Sequence, residues 1–464
     1  MTSRRDFLKA ALAAGALGAA GGCLSRGFAA NSRVRLAAIG IGQQGWADMQ
    51  EFMKCADLCE FVALCDTDLE SDATLPALKA FPELPRYRDF REMFDREERN
   101  IDAVLIATPD HSHFCAAIAA MKLGKAVFVE KPLAHSFAEC RLMMEAAKRY
   151  RVVTQMGNQG HSTIKYHQFK EYVAKGVVKD VELARVHMNF SRRWHKYAGN
   201  VFAFPAERPV PPTLDWDAWL GPAQHHNYSP EYERGEWRCW YDFGNGCLGD
   251  WGAHTMDCMH EFLLKGDLPT KVELLKCEGW NQFIFPCATT LAFTFPANAK
   301  HGDFRLEWYD GAANLPELPR GYVYEKDDGS IPANSANDPN DHPTLLPGKE
   351  MYQRDGTVWQ SRSHCHPLHR VGDFDGPLPD YPPETETHYR NFLRAVIGET
   401  KATSPFSVAG PLSQLFTLGV IAQRLNRSFE FDPAAGRAPH DEYADFFLAG
   451  PPPRRGWEDF YRVS

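Results

Sequence analysis

Between residues 33 and 130, short apolar runs of strand type alternate with segments whose apolar residues recur at helical spacing. The runs are RVRLAAIG, EFVALCDTD, NIDAVLIAT and KAVFVE, at 33–40, 60–68, 100–108 and 125–130. A helix is predicted in HFCAAIAAMKLG, with Ser112 as its N-terminal cap and Gly124 at its end. Strands that alternate with helices indicate a doubly wound parallel sheet.

The second half of the chain has a different pattern. Its strand-like segments predict an open, mostly antiparallel sheet, and they lie at 181–190, 271–279, 287–295 and 303–309. Two segments with helical spacing, 387–398 and 409–425, are expected to return to the first domain. The polar stretch 327–343 predicts a mobile loop. This half is therefore predicted to be a large α+β domain.

The first apolar run ends in a glycine-rich turn, IGIGQQG, which a helical segment follows directly. Strand, GxGxxG and helix in this order form the Rossmann fingerprint for a dinucleotide. Gly40 permits the tight turn, Gly42 lets the backbone approach a pyrophosphate, and Gly45 lets the helix pack closely on the strand. The amides at the helix start, around Gln43 and Gln44, would face the phosphates.

The second strand ends at Asp66, 21 residues after Gly45. A carboxylate there accepts hydrogen bonds from both ribose hydroxyls and repels a 2′-phosphate, which favours NAD over NADP. Asp68 is a rival for this role, and Asp66 as an exposed turn residue is the alternative. The predicted boundaries are 1–30 for an export segment, 31–156 for an NAD-binding Rossmann domain and 157–464 for a substrate-binding domain.

The stretch ATPDHSHFCAAIAAMKLGKAVFVEKPL, which ends in Glu130-Lys131-Pro132, resembles the Gfo/Idh/MocA oxidoreductase family. The resemblance extends through GNQGHS, LDWDAWLGPA and GCLGDWGAHTMD. It implies that Lys131 points into the nicotinamide site, that the bond before Pro132 is cis, and that the second sheet forms a homo-oligomer. The predicted cofactor set is completed by Thr108, Pro109, His113, Glu130 and Lys131.

The candidate catalytic residues are Lys131, Asp250 and His254. A lysine at the carboxyl end of a strand could stabilise a developing alkoxide, although a surface salt bridge with Glu130 is the alternative. If 250–264 is helical, Asp250, His254 and Asp257 share one face, and a carboxylate one turn away could orient the histidine as a general base. The alternative is a helix capped by Asp250 with a buried His254. The family resemblance assigns catalytic or substrate-binding roles to Asp250 and His254, with Asp257 in support.

The predicted substrate-binding residues mix aromatic, amide and charged groups, which suits the apolar faces and hydroxyls of a sugar. They are Asn158, His161, Arg193, His195, Tyr197 and Asp257, with Trp194 beside them. A purely structural role is the alternative for each of them. His364, His366 and His369 could suggest a metal, but their spacing fits no single face and no carboxylate cluster accompanies them, so no metal site is predicted.

Composition narrows the classes of function. With 44% apolar and 24% charged residues, the 464-residue chain is typical of globular proteins. A formal net charge of −9, without a basic stripe, argues against a nucleic-acid partner. Beyond the N-terminus no run of about 18 uncharged apolar residues predicts a transmembrane helix.

The N-terminal residues predict an export signal. SRRDFLK at 3–9 matches the twin-arginine consensus, a mildly apolar segment follows at 10–22, and Gly27 and Ala29 offer small residues for cleavage. A poorly ordered helical tail is one alternative, and a lipid anchor at Cys23 is another. The prediction is a periplasmic or otherwise exported protein that was folded before export.

Export limits the chemistry, because no NAD pool outside the cytoplasm replaces a spent cofactor. Three hypotheses follow: an oxidoreductase acting on a carbohydrate or cyclic polyol, a redox-neutral glycosidase resembling glycoside hydrolase family 109, and a sugar-binding protein without turnover. The first is preferred with a tightly bound, internally recycled cofactor. The intact EKP and DxxxH motifs argue against the third.

Overall fold

The computed structural model describes residues 33–188, 200–312, 314–322, 347–362, 366–372 and 377–463. Its N-terminal part is a six-stranded sheet in the order β3-β2-β1-β4-β5-β6, with every pair parallel. The strands are β1 Val34–Ile39, β2 Cys59–Cys65, β3 Arg86–Tyr87, β4 Ala103–Ile106, β5 Ala126–Val129 and β6 Thr154–Met156. The predicted doubly wound parallel sheet is confirmed.

Helices connect these strands. They are α1 Gln44–Met53, α2 Leu75–Ala80, α3 Phe90–Glu97, α4 Asp110–Lys122 and α5 Phe137–Tyr150. The predicted cap of α4 is wrong: the helix begins at Asp110, and the Ser112 hydroxyl donates instead to the Pro109 carbonyl at 3.0 Å. The predicted end is confirmed, because Gly124 adopts a φ of 70° just after the helix.

The second part is built on an eight-stranded sheet in the order β13-β12-β11-β7-β10-β9-β8-β14. All neighbours are antiparallel except β7 and β10, which are parallel, so the mostly antiparallel sheet is confirmed. Its strands are β7 Val181–Met188, β8 Lys271–Glu278, β9 Ala288–Phe295, β10 Phe304–Asp310, β11 Gly348–Gln353, β12 Val358–Arg362, β13 His369–Arg370 and β14 Phe429–Glu430. The predicted loop 327–343 lies outside the described residues.

The remaining helices follow β6 in the chain. They are α6 Ile164–Ala174, α7 Trp216–Leu220, α8 Gly246–Thr255, α9 Asp257–Phe262, α10 His388–Val396, α11 Phe406–Leu425 and α12 Glu442–Ala449. Helix α10 packs on the first sheet, where Tyr389 stacks on Phe128 with ring centroids 5.5 Å apart. Helix α8 packs on α11 so closely that a Cβ at Gly252 would lie 2.6 Å from the Phe416 ring. Asp250 of α8 accepts a hydrogen bond from Lys131, which follows β5, so α8 lies at the carboxyl edge of the parallel sheet.

Within the described residues, α11 alone is long and apolar enough to cross a membrane. However, 78% of its most apolar window is buried inside the protein. A core helix explains its composition.

Candidate active site

A cavity of about 490 Å³ opens at the carboxyl ends of the parallel strands. This edge is where open α/β sheets bind ligands. Most of the residues predicted to bind the cofactor line this cavity: Gly40, Gly42, Gln43, Gln44, Asp66, Thr108, Pro109, Glu130 and Lys131. Two others, Gly45 and His113, are not part of the lining.

The glycine turn has the conformation that its sequence requires. Gly40 has a φ of 81°, and a Cβ there would lie 2.6 Å from the Ala107 carbonyl oxygen. A Cβ at Gly45 would lie 1.9 Å from the carbonyl oxygen of Gly40. Only glycine therefore lets α1 start this close to the turn.

Asp66 lies on the cavity wall and also fixes the glycine turn. Its carboxylate accepts hydrogen bonds from the Ile41 amide at 2.9 Å and the Asp68 amide at 3.2 Å. Burial raises the pKa of Asp66 to about 6, so the group is mostly ionised at neutral pH. The rival Asp68 lines the same cavity.

The lining fits a dinucleotide. Beside the glycine turn and Asp66, the buried Thr108 hydroxyl faces no hydrogen-bond partner among the described residues. Arg88, Arg234 and Arg238 line the same cavity and supply positive charge for phosphates. Of the predicted cofactor residues, the turn, Asp66 and Thr108 would hold the nucleotide, and Lys131 lines the same cavity.

His113 bridges two loops instead of lining the cavity. Its ring nitrogens lie 2.9 Å from the Pro132 carbonyl and 2.8 Å from the Thr108 carbonyl. The peptide bond before Pro132 is cis, as the family resemblance implies. His113 was predicted to bind the cofactor; the structure shows it joining the loops of Thr108 and Pro132, so its contact with the cofactor stays a prediction.

Lys131 meets Asp250 at the inner side of the cavity. The Lys131 ammonium donates to the Asp250 carboxylate at 2.8 Å and to its backbone carbonyl at 3.1 Å. Among the described residues the Lys131 ammonium pairs with Asp250 and not with Glu130, whose carboxylate accepts from the backbone amide of Lys131 at 3.2 Å. Arg238 also approaches the Asp250 carboxylate, at 3.4 Å. Asp250 thus lies between two cations.

The predicted shared face of Asp250, His254 and Asp257 requires a correction. Helix α8 ends at Thr255, and a new helix begins at Asp257 after Met256. Asp250 and His254 remain one turn apart, with the His254 ring 5.8 Å from the Trp251 ring. Asp257 faces elsewhere, and Asn245, not Asp250, precedes the helix. The carboxylate of Asp250 binds Lys131, which the local spacing did not predict.

Asn158, His161 and Asp257 form a buried network apart from the cavity lining. The His161 ring lies 3.2 Å from the Asp257 carboxylate, 2.7 Å from the Glu261 carboxylate and 3.1 Å from the Asn158 amide nitrogen. Although burial opposes its charge, the bonds to Asp257 and Glu261 raise the pKa of His161 to about 9. A substrate would have to displace these bonds, so substrate binding by this set stays a prediction.

The same network contains the described cluster that could suggest a metal. Ligand atoms of His161, Asp257 and Cys258 lie within 4.8 Å of one another. Both nitrogens of His161 already face carboxylates, and Lys165 donates to Asp257 at 3.2 Å. The Lys165 ammonium therefore already supplies the positive charge that a metal ion would bring to Asp257. The predicted substrate residues Arg193, His195 and Tyr197, with Trp194, lie outside the described residues, as does His364.

Two residues at the site were missed by sequence reasoning. Asp110 lines the cavity, and its carboxylate accepts from the Asn245 amide at 2.9 Å, which ties the parallel sheet to the start of α8. Its place directly after a strand, beside Thr108 and Pro109, is a signal that could have found it. Arg238 follows no periodic segment or motif, so only the fold reveals it.

Two family models match the chain. The Gfo/Idh/MocA model described as an oxidoreductase family with an NAD-binding Rossmann fold matches residues 34–158. The model described as the C-terminal alpha/beta domain of this oxidoreductase family matches residues 163–283. Together the two models span more than half of the chain; the first covers the parallel sheet, and the second includes strands β7 and β8 of the other sheet.

Individual relatives match over shorter stretches. A glycosyl hydrolase family 109 protein of Shewanella pealeana is 33% identical over 123 residues, which are 25% of this chain and 26% of that protein. Inositol 2-dehydrogenase 3 of Saccharopolyspora erythraea is 30% identical over 158 residues, 34% of this chain and 45% of that protein. The matches therefore span less than half the length of these curated relatives.

A solved structure shares the overall fold. The WlbA dehydrogenase of Chromobacterium violaceum, solved with NADH and UDP-GlcNAcA, superposes with a TM-score of 0.60. The superposition covers 87% of this chain and 97% of that chain at 13% sequence identity. At this identity the likeness concerns the fold.

Proposed function

Because the chain belongs to the Gfo/Idh/MocA family of oxidoreductases, with an NAD-binding Rossmann domain, we propose that it oxidises a hydroxyl of a carbohydrate or cyclic polyol. In this proposal the NAD stays bound and is recycled within the protein. The observation that carries it is the Lys131 ammonium, 2.8 Å from the Asp250 carboxylate at the cofactor cavity, with His254 one turn along the same helix.

In this proposal Lys131, His254 and Asp250 have different roles in removing the hydroxyl proton. Bound NAD supplies the hydride acceptor. Lys131 donates a hydrogen bond to the substrate hydroxyl oxygen and stabilises the negative charge that develops there. His254 accepts the hydroxyl proton as general base. Asp250, between Lys131 and Arg238, holds the ammonium in place through a charged hydrogen bond.

The proposal includes export by the twin-arginine route. The SRRDFLK segment supports it, and a lipid anchor at Cys23 is the variant of this proposal that keeps the protein on a membrane. A chain exported in its folded state would carry NAD loaded in the cytoplasm. Net oxidation with loss of NADH would then stop after one turnover, so hydride must return to a second substrate or to the same one.

The second candidate is a redox-neutral glycosidase, supported by the similarity to the glycosyl hydrolase family 109 protein. A ring hydroxyl is oxidised to a ketone, which acidifies the neighbouring C–H. Loss of that proton expels the aglycone from the anomeric carbon, and water then adds to the resulting double bond. Return of the hydride to the ketone restores the sugar, so no net oxidation occurs.

Cofactor content tests the retention of NAD. The purified protein is expected to release about one NAD per chain on denaturation, measured by absorbance and mass spectrometry. Purified protein that is free of NAD in every preparation and consumes added cofactor in each turnover would contradict the retention of NAD.

Labelled substrates separate the two candidates. Incubation with aryl glycosides in D2O should place deuterium at C2 of the released sugar if elimination occurs. A mixture of two carbohydrates, one deuterated at the oxidised carbon, should instead transfer deuterium to the other sugar if the enzyme is an oxidoreductase. A wild type that shows neither deuterium uptake from D2O nor deuterium transfer between the two sugars would behave like Lys131→Met. That result would contradict the proposal that this site oxidises a carbohydrate.

A further inference from the structure

We propose that Lys165 and Lys349, two buried lysines remote from the cofactor cavity, are positioning residues that hold helix α8 and thereby the Asp250 and His254 side chains. This inference rests on the proposed function only in the roles of Asp250 and His254. Neither lysine lines the cavity, so both act through the helix.

Each lysine binds a carbonyl at the end of α8. The Lys165 ammonium donates to the His254 carbonyl at 3.2 Å, and the Lys349 ammonium donates to the Thr255 carbonyl at 2.7 Å. The last carbonyls of a helix lack partners within the helix and carry its partial negative charge. Lysine ammonium groups at this end satisfy both needs.

The two lysines come from different parts of the second domain. Lys165 is in helix α6, and Lys349 is in the strand β11, more than 180 residues away along the chain. Both side chains are fully buried. They thus connect the end of α8 to a helix and to the central part of the antiparallel sheet at once.

The opposite end of α8 is fixed to the parallel sheet. The Asp110 carboxylate accepts from the Asn245 amide at 2.9 Å and from the Asn245 side chain at 3.2 Å. The middle of the helix is held against α11, since Gly252 leaves no room for a Cβ beside Phe416. The helix is therefore anchored at both ends and in the middle, and its Asp250 carboxylate meets Lys131 at 2.8 Å.

Simple core packing does not explain two neighbouring buried ammonium groups. Burial and the positive charge of Lys165 together lower the pKa of Lys349 to about 7, although Asp257 opposes the shift. Apolar residues of similar size would fill such a space without the cost of burying charge. The bonds to the two helix carbonyls offset that cost. They also fix the position of α8 along its axis and its rotation about that axis.

Asp257 completes the arrangement. Its carboxylate accepts from Lys165 at 3.2 Å and lies 3.2 Å from His161. Although burial favours the neutral acid, Lys165 and His161 hold the pKa of Asp257 well below its usual range. The charges of the network are therefore paired, and Lys165 keeps a fixed position from which it binds the His254 carbonyl.

The test compares Lys165→Met and Lys349→Met with the wild type, all as full-length NAD-bound protein. Amide hydrogen exchange is measured by mass spectrometry for peptides covering 246–256, and NAD content is measured in parallel. Loss of a hydrogen bond to a charged group should speed exchange in this segment at least about tenfold. NAD content and exchange in the glycine turn should stay unchanged.

Val272→Ala is the matched control, because Val272 is fully buried in β8 and its shortening destabilises the second domain without removing a bond to the α8 carbonyls. It should lower the melting temperature yet leave the exchange of 246–256 as in the wild type. With a working substrate, the lysine variants should lower kcat at least about tenfold with little change in KM, since the reacting groups and not the substrate contacts are displaced. The control should change neither constant.

Unchanged exchange at 246–256 in both lysine variants overturns the inference, as does equal acceleration in Val272→Ala. If a variant does not fold, Lys165→Gln or Lys349→Gln replaces it, and exchange at 246–256 should again be faster because the shorter, neutral side chain loses the charged hydrogen bond. The exchange result requires no substrate. A wild type that oxidises no carbohydrate would therefore contradict the proposed function while the exchange comparison still decides the anchoring of α8.

Discussion

Lys131 and Asp250 are 119 residues apart in the chain, and their side chains meet at 2.8 Å beside the cofactor cavity. The first follows strand β5 of the parallel sheet, and the second belongs to a helix of the other domain. The candidate catalytic pair therefore exists only when the two domains are docked.

Replacing Lys131 with Met should abolish most of the turnover while NAD stays bound. Loss of the group that stabilises the developing alkoxide is expected to lower kcat by about 10²–10⁴-fold. The measurement is turnover together with NAD content after denaturation. Lys54→Met, at a side chain that is 68% exposed, is the control and should behave as the wild type. Full activity of Lys131→Met would show that this lysine has no catalytic role.

Asp66→Asn should weaken the discrimination against NADP. The amide still accepts the hydrogen bond of the Ile41 amide, but it no longer repels a 2′-phosphate. The ratio of the NAD and NADP affinities is expected to fall at least about tenfold, equivalent to about 1.4 kcal/mol of repulsion. Calorimetric titration of cofactor-free protein measures both affinities.

The wild-type ratio should also depend on pH. Burial raises the pKa of Asp66 to about 6, and the repulsion requires the ionised form. Preference for NAD should therefore be complete above pH 7 and decline as the pH falls through 6. In Asp66→Asn this pH dependence should disappear.

The His161 network should stabilise the fold most at low pH. The partners of His161 raise its pKa from 6.5 to about 9, so its charged form is favoured in the folded state. This stabilisation is fully present below pH 6.5 and is lost as the pH rises through 9. It amounts to about 3 kcal/mol at most.

The check is a difference between two proteins, which cancels the titration of other groups. The melting temperature of His161→Gln should be furthest below that of the wild type at pH 6 and should approach it by pH 9.5. A gap that is constant over this range would mean that His161 does not titrate with the fold.

Gly45→Ala should disrupt the cofactor site. The added Cβ would lie 1.9 Å from the Gly40 carbonyl oxygen, so α1 or the turn must move, at a cost of about 1–3 kcal/mol. A lower melting temperature and loss of bound NAD are expected. Gly302→Ala, where no atom lies within 4 Å of the new Cβ, should leave both unchanged.

Arg4→Lys with Arg5→Lys tests the export signal. The double substitution keeps the charge but removes the arginine pair, and it should retain the protein in the cytoplasm. Cell fractionation followed by immunoblotting measures this. Equal amounts of wild type and variant in the periplasm would contradict the twin-arginine route.

Local patterns in the sequence determined most of the secondary structure. The strand, GxGxxG and helix at 33–53 could be predicted because each depends on neighbours along the chain. The four predicted strands of the second sheet were found for the same reason. Strand β11 was missed, since its buried residues include Lys349 and Glu350, and charges at buried positions break the apolar pattern.

The cofactor half of the site could also be predicted, because glycines and a following acidic residue form a contiguous motif. Helical spacing alone placed Asp250, His254 and Asp257 on one face, yet α8 ends at Thr255 and Asp257 turns to His161 and Lys165. Arg238 and Asp110 carried no motif.

The sequence by itself thus determined the parallel sheet and the nicotinamide cofactor, and it named the candidate residues for proton transfer. The tertiary structure decided which of those residues meet: Lys131 with Asp250, and the buried lysines with the end of α8. The physical reason is the distance along the chain over which each kind of interaction acts. Periodicity and turn chemistry act over a few residues, whereas the pairing of charges depends on how two domains pack and on which carboxylate burial leaves nearest to each cation.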